Sequence, residues 1–358
     1  MQVAVFFDKG AESLCSEYIK QLGFSVTAVF DQYCRVQITQ IEDAFYLAYV
    51  AQCATRVIVI TGIAKTPEET ITSDLSLFLD ANHSFRSSVY STDETIDKEQ
   101  LEKSQGALIK ECIPESVVDL SNPNAIVWTI CLEDHCLSGV DVTGVNLAKR
   151  EYKIYNEPGS LRASIAFDLL LFSQIKKTDV VLDPFCGSGT ICIEALLWFF
   201  KKSPHVYTYQ TFACLHQKPF VREQIQQKIT QYEQEQTDIG LVHGFDIQSK
   251  NIDFCKRNAK IAGVLKQAQF SRIETDFMDL KFEQQVDAIV TCPPVNKPKV
   301  YKQFFSRVQD VLKKKATITF CLKNPNDIQY IDESWKIIER LEVFMGKTPL
   351  LFIKMERK

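Results

Sequence analysis

Three features of the sequence predict an α/β fold whose C-terminal half is built on a doubly wound parallel sheet. Residues 180–194, VVLDPFCGSGTICIE, read as a buried strand, a glycine turn and a helix starting near Thr190. Residues 240–246, GLVHGFD, give a strand that ends in an acid, and residues 286–291 give another that is stopped by Cys292, Pro293 and Pro294. The first 155 residues alternate strand-like and helix-like stretches in a separate α+β pattern. A strand-turn-helix unit puts free backbone N–H groups at the C-terminal edge of a sheet, where nucleotide-like ligands bind. Gly187 and Gly189 allow the tight turn and a close backbone approach to such a ligand. No Gly-Lys-Ser/Thr follows, so the turn is not a phosphate loop.

Composition narrows the class. With 358 residues, 46% of them hydrophobic, the chain has room for two or three domains and no shortage of core. No apolar run approaches the ~20 residues that span a bilayer, and the N-terminus has no basic stretch leading an apolar one. Twelve unevenly spaced cysteines in a chain of this length read as reduced thiols of a cytoplasmic protein. Cys131 and Cys136 with His135, and Cys214 with His216, each lack a second metal-binding pair, so no metal is expected. A net charge of −4 argues against a broadly basic nucleic-acid surface and leaves room for a local patch.

In chain order, strands are expected at 3–7, 24–30, 33–38 and 56–60, and helices at 10–23 and 41–53. A helical stretch at 74–79, a strand at 84–90 and a helix at 98–112 follow. Residues 117–120 and 125–131 are expected to pair as a hairpin about the Ser121-Asn122-Pro123-Asn124 turn, before a strand at 136–142. Residues 156–160, NEPGS, read as a linker, and 161–172 as a long apolar helix. The Gln- and Lys-rich residues 200–240 read as an insertion, with 224–236 a solvated polar helix. A helix at 252–263 closed by Gly263 and a strand at 268–273 precede the 286–291 strand. The end of the chain reads as a basic loop at 296–302, a helix at 304–312 with Lys313, Lys314 and Lys315 at its cationic end, and a strand at 316–322. A helix near 331–337 and two strands near 341–344 and 350–355 close it.

Asp183-Pro-Phe-Cys-Gly-Ser-Gly-Thr190 resembles motif I of S-adenosylmethionine (SAM)-dependent methyltransferases that act on exocyclic amines of nucleobases. The resemblance implies a Rossmann-like class I SAM-methyltransferase domain over residues 156–358. It implies cofactor contacts from Asp183, Phe185, Gly187, Gly189 and Thr190, and from Leu161 and Ser164 in the preceding LRASIA segment. An acid at the end of the second strand can accept both hydrogen bonds of a ribose diol, which assigns Asp246 and its neighbour Ile247 to the adenosine. Asp276 would then accept from the adenine amine, and Phe277 cover the ring. Phe85-Arg86, the 98–112 helix, VDLSNP at 118–123 and NLAKR at 146–150 resemble a THUMP domain, an RNA-binding module, over 76–155. Residues 1–75 would be its ferredoxin-like companion. Arg86, Lys149, Arg150 and Lys153, with Lys297 and Lys299 of the basic loop, become the candidate phosphate contacts.

The sequence departs from this family at the presumed catalytic turn. The family has Asn or Asp, Pro-Pro, then Tyr or Phe; here the residues are Cys292, Pro293, Pro294 and Val295. The family's first residue accepts from the target amine and its last stacks on the extruded base, whereas sulfur accepts weakly and valine cannot stack. Three readings compete. The chain methylates an amine with Cys292 and main-chain carbonyls as acceptors, and with Tyr301, Phe304 or Phe305 covering the base. Or it is a catalytically weak or inactive RNA-binding pseudo-methyltransferase, or Cys292 is a nucleophile for carbon methylation. The first is preferred, as a SAM-dependent RNA methyltransferase forming N2-methylguanosine, with tRNA favoured over rRNA. A small-molecule methyltransferase would leave the first 155 residues without a purpose.

Overall fold

The computed structural model describes residues 1–91, 93–217, 219–233, 239–282 and 285–358. The strands are β1 (Gln2–Phe6), β2 (Ser25–Phe30), β3 (Tyr33–Gln37), β4 (Arg56–Ala64), β5 (Ser84–Ser91), β6 (Val117–Val118), β7 (Ala125–Cys131), β8 (Cys136–Asp141), β9 (Val181–Asp183), β10 (Val242–Asp246), β11 (Ala268–Arg272), β12 (Val286–Thr291), β13 (Leu312–Leu322), β14 (Trp335–Met345) and β15 (Thr348–Arg357). The helices are α1 (Glu12–Gln21), α2 (Glu42–Val50), α3 (Lys98–Cys112), α4 (Ala163–Ser173), α5 (Thr190–Phe199), α6 (Arg222–Tyr232), α7 (Ser249–Ile261), α8 (Met278–Lys281) and α9 (Pro298–Val311). Two compact units emerge, one of residues 1–6, 19–147 and 207–231, the other of residues 7–18, 148–206 and 232–358.

The first unit holds one sheet in the order β2-β3-β1-β4-β8-β7-β5-β6, so strands on both sides of residue 75 share a single ladder. The expected hairpin of 117–120 with 125–131 does not form. β6 and β7 lie on opposite sides of β5 and both run parallel to it. The side chain of Asn124 fixes that crossover by accepting from the backbone N–H of Ser84 at 2.9 Å, and β7 pairs instead with β8. The helical stretch near residue 74 is a short 3₁₀ turn, Ser73–Leu77, opened by the Thr72 hydroxyl. The 200–240 stretch is not a solvated insertion, because its residues 207–231 are part of this unit. Lys228 pairs with Asp43 at 2.7 Å, the backbone of Val221 donates to Glu42, and Ile225 and Ile229 are buried. The stretch expected as helix to 236 runs beyond the described residues at 234–236.

The second unit is a sheet in the order β11-β10-β9-β12-β13-β15-β14, parallel except for the inserted antiparallel β15. Helices α4, α5 and α7 pack together, and α8 packs with α9. The helix α9 is amphipathic: Tyr301, Phe304, Phe305, Val308 and Val311 recur at helical spacing and are buried with Leu182, Ile289, Ile318 and Phe320 of the strands. Burial of each large side chain there contributes ~1.5–3 kcal/mol. The order reverses between β9 and β12, which opens a crevice at the C-terminal edge of the sheet.

Two expected elements differ at the chain's end. Residues 331–337 are not helical, since Trp335 begins β14, whose pairing with the long strand β15 overrides the helical preference of Lys, Glu and Arg. Lys313, Lys314 and Lys315 do not end a helix but lie on β13, where Lys313 pairs with Asp287. The basic loop at 296–302 is largely the first turn of α9, with Pro298 at its start.

Within this unit the guanidinium of Arg150 is sealed against Glu194, at 3.1 Å, with both side chains fully buried. The Tyr152 hydroxyl donates to the same carboxylate at 2.8 Å. The Glu194→Gln substitution leaves a buried cation without its counter-charge, and a loss of about 3–5 kcal/mol is expected in urea unfolding. A loss under ~1 kcal/mol would mean that the pair is not what stabilises this core.

Candidate active site

A cavity of about 500 Å³ opens at the crevice between β9 and β12, a size suited to a small-molecule ligand. Its wall is built from the ends of the strands and the turns that follow them. Asp246 and Ile247 come from the end of β10, and Glu274, Thr275 and Asp276 from the turn after β11. Cys292, Pro293, Pro294 and Val295 follow β12, and Lys323 follows β13. A narrow recess of about 40 Å³ adjoins it, lined by Leu161, Asp183, Thr190 and Ile191, and the two spaces share Glu157, Phe185, Cys292 and Lys323.

The glycine turn explains the shape. Gly187 and Gly189 take φ of +51° and +84°, a region that costs other residues strain. A Cβ on Gly187 would fall 1.8 Å from Oε1 of Glu157, and one on Gly189 would fall 3.1 Å from the sulfur of Cys255. Glu157 accepts from the Asn251 amide at 3.0 Å, and Asn258 ties the backbone of Tyr155 to that of Ser188. The 156–160 segment is therefore a wall of the site rather than a free linker.

Charge is unevenly spread. Asp183 is buried and accepts from the Thr291 hydroxyl at 2.5 Å and the Phe185 N–H at 3.1 Å. Burial first, then the neighbouring carboxylates of Asp246 and Glu157, push its acid up to about 7 against those hydrogen bonds. Glu157 is raised by burial and by Asp246. Asp246 accepts from the N–H groups of Gly187 at 3.2 Å and Gln248 at 2.7 Å, and each oxygen keeps a lone pair for a further donor. The carboxylates of Asp183, Glu157 and Asp246, gathered around the glycine turn, suit a cationic ligand with a diol. These are the demands of SAM, with its sulfonium, ammonium and ribose.

The sequence-predicted residues divide. Leu161, Asp183, Phe185, Thr190, Asp246, Ile247, Asp276 and the residues 292–295 line the two spaces, and Lys297 stands at the rim. Ser164 does not, because it is buried and its hydroxyl donates to Asp8 at 2.5 Å. Phe277 is off the wall and exposed, and Ile273 lines the wall there instead. Tyr301, Phe304 and Phe305 cannot cover a base, since all three belong to the core under α9. Arg150 cannot meet a phosphate from inside its pair with Glu194. Lys153 is half-buried, donates to the carbonyl of Leu161, and is lowered to about 8 by burial and the repulsion of Lys323 and Arg150. Lys149 and Lys299 are exposed, and Arg86 is half-buried on β5 in the first unit. Reasoning from sequence missed Glu157, Asn251 and Lys323, none of which sits in a recognisable motif.

The fold and site together define a class I SAM-methyltransferase-like protein. The chain belongs to the family described as UPF0020, RMKL-like, methyltransferase domain, whose model matches residues 150–349, more than half of the chain. A tRNA (guanine(6)-N2)-methyltransferase of Methanocaldococcus jannaschii is 31% identical over 204 residues, 54% of this chain and 53% of that protein. The ribosomal RNA large subunit methyltransferase K/L of Shewanella woodyi is 32% identical over 170 residues, 44% of this chain and 22% of that protein. The chain thus spans about half of the first relative's length and less of the second's. The solved structure of SMU.472 in complex with SAH matches with a TM-score of 0.83 at 17% identity, over 100% of this chain and 98% of that one. No helix among the described residues is long and apolar enough to cross a membrane.

Asp183 gives a pH test. Its acid is raised from the usual 3.8 to about 7, so the folded chain holds a proton that the unfolded chain has lost. The resulting stabilisation is full below pH ~4 and is lost as pH rises through ~7, roughly 4 kcal/mol at most for a shift of about three units. Urea unfolding of the chain without cofactor should show Asp183→Asn losing less stability than the wild type between pH 5 and pH 8. Equal losses would place the Asp183 carboxyl at an ordinary acidity.

Proposed function

We propose that this protein transfers a methyl group from SAM to the N2 amine of a guanosine in structured RNA, with tRNA as the favoured substrate. The observation that carries the reading is the single cavity that holds both the Asp246 and Asp276 carboxylates and the Cys292-Pro293-Pro294-Val295 turn. SAM supplies an electrophilic methyl group on a sulfonium.

Asp246 would accept the ribose hydroxyls, Ile247 and Ile273 flank the adenine, and Asp276, which already accepts from Gln303, takes the adenine amine on its other oxygen. Glu157, Asp183, Leu161 and Thr190 would hold the methionine end, with Phe185 at the junction. Cys292 and the carbonyls of Pro293 and Pro294 would accept from the target amine. That orients its lone pair at the methyl group and keeps water away during transfer. In the same reading residues 156–358, apart from the 207–231 stretch that belongs to the first unit, form the methyltransferase domain, and 1–75 and 76–155 act as ferredoxin-like and THUMP parts that grip RNA. Arg86, Lys149, Lys297 and Lys299 are the phosphate contacts it retains. The twelve free thiols fit a reducing compartment, the cytoplasm. The names of the two relatives support RNA as substrate, and the ribosomal one keeps rRNA as the alternative.

A second reading has one observation in its favour. With Tyr301, Phe304 and Phe305 buried, nothing among them replaces the missing stacking ring at Val295, as a pseudo-methyltransferase would allow. Labelled methyl from SAM, added with purified protein to unmodified tRNA and rRNA, should appear as N2-methylguanosine in tRNA. Asp246→Ala should weaken SAM binding about 10- to 100-fold, the loss of charge-assisted hydrogen bonds worth ~1.5–3 kcal/mol. No incorporation with RNA binding intact would select the pseudo-enzyme.

A further inference from the structure

We propose that Cys292 acts as an anionic sulfur that takes the proton released by the substrate amine, and that Lys323 is the positioning residue that holds it in that state. The inference rests on the methyl-transfer reading above and replaces the weak thiol acceptor with a charged one.

The geometry comes from two adjacent parallel strands. β12 and β13 pair with Thr291 opposite Phe320, so the next residues in register are Cys292 and Cys321. That register sets buried Cys321 beside Cys292, and Lys323, one residue beyond the end of β13, lines the same two spaces as Cys292. Lys323 is braced from the other side, where it donates to the carbonyl of Gly159 in the segment that walls the site. Cys292 and Lys323 both lie at the junction of the cavity and the recess, between the proposed methionine end and the proposed base. Half-buried Cys292 lines both spaces, whereas buried Cys186 lines the recess alone.

Other charged or titratable groups face this sulfur as well. Asp183 opposes the anion, and Tyr301 lies close enough to feel it. The neighbouring Cys321 thiol, and then the charge of Lys323, outweigh burial and Asp183, so the Cys292 thiol is held below the ordinary thiol range while Cys321 is raised. A nearby ammonium favours a thiolate more than a neutral side chain can.

The step balances. The nitrogen lone pair forms the bond to the methyl carbon, and the methyl–sulfonium bond breaks with its electron pair passing to the donor sulfur. One N2 proton passes to the Cys292 thiolate, which becomes a thiol and then releases that proton to solvent. Lys323 keeps its own proton throughout.

The test uses the full chain and iodoacetamide, with alkylation of each cysteine followed by peptide mass spectrometry from pH 6 to pH 10. Exposed Cys112 serves as the internal comparison in the same sample. Cys292 is expected to reach half-maximal reactivity at lower pH than Cys112, and bound SAH to slow its labelling. K323Q should move that midpoint upward by about one unit, a roughly tenfold change at fixed thiol reactivity, and K323R should restore most of it. C321S, which keeps a donor, should move it less than K323Q. In methyl transfer, the acid limb of kcat should follow the same midpoint, and K323Q should lower kcat with little change in KM. Equal alkylation midpoints for the wild type and K323Q overturn the inference, whatever the RNA result. Failure of the RNA reading alone would instead abolish incorporation and leave the Lys323-dependent midpoint in place.

Discussion

The space that a side chain at position 187 would need is taken by the carboxylate of Glu157, and the site is arranged around that substitution of carboxylate for Cβ. Three parts of the chain meet there: the 155–160 segment, the turn between β9 and α5, and the first turns of α7. Asn251 holds Glu157, Asn258 joins Tyr155 to Ser188, and Cys255 donates to the carbonyl of Gly187. An alanine at 187 would push Glu157 out and adopt a strained φ besides. The crevice created by the reversal of strand order therefore gathers carboxylates at this turn, and burial and the charge of Asp246 raise both Asp183 and Glu157.

Both signs of charge meet in this small space. Glu157 and Asp246 line the cavity with Lys297 and Lys323, and Lys323 also donates to the Gly159 carbonyl and stands at the junction with the recess that Asp183 lines. The basic residues around Arg150 follow a different logic. Arg150 spends its charge inside the fold against Glu194, and the carbonyl of Leu161 takes up Lys153, so a run that reads as a nucleic-acid patch partly serves the core. The fully buried pair costs desolvation that only good geometry offsets, and the Tyr152 hydroxyl supplies part of it.

Sequence by itself determined the order and type of most elements, because period, punctuation and helix ends are local properties. The glycine turn, the acid ending β10, Gly263 closing α7 and the long helix α3 were all legible from neighbours within a few residues. The placement of Asp183, Asp246, Asp276 and Cys292 around one crevice followed as well, since the ends of parallel strands gather at one edge of a sheet.

Tertiary structure alone decided the rest. The position of β6 beyond β5 depends on which strand a two-residue segment finds, and the strand at 335–345 depends on β15 as a partner. Whether Tyr301, Phe304 and Phe305 are a base platform or a core stripe depends on what α9 packs against, because an amphipathic pattern does not say what covers it. Glu157 meets Gly187 across 30 positions of chain, and Lys323 meets Cys292 across 31, separations that carry no spacing signal. Contacts of that kind are set by the register of β12 against β13 and by the closure of the 155–160 segment, which no local pattern encodes.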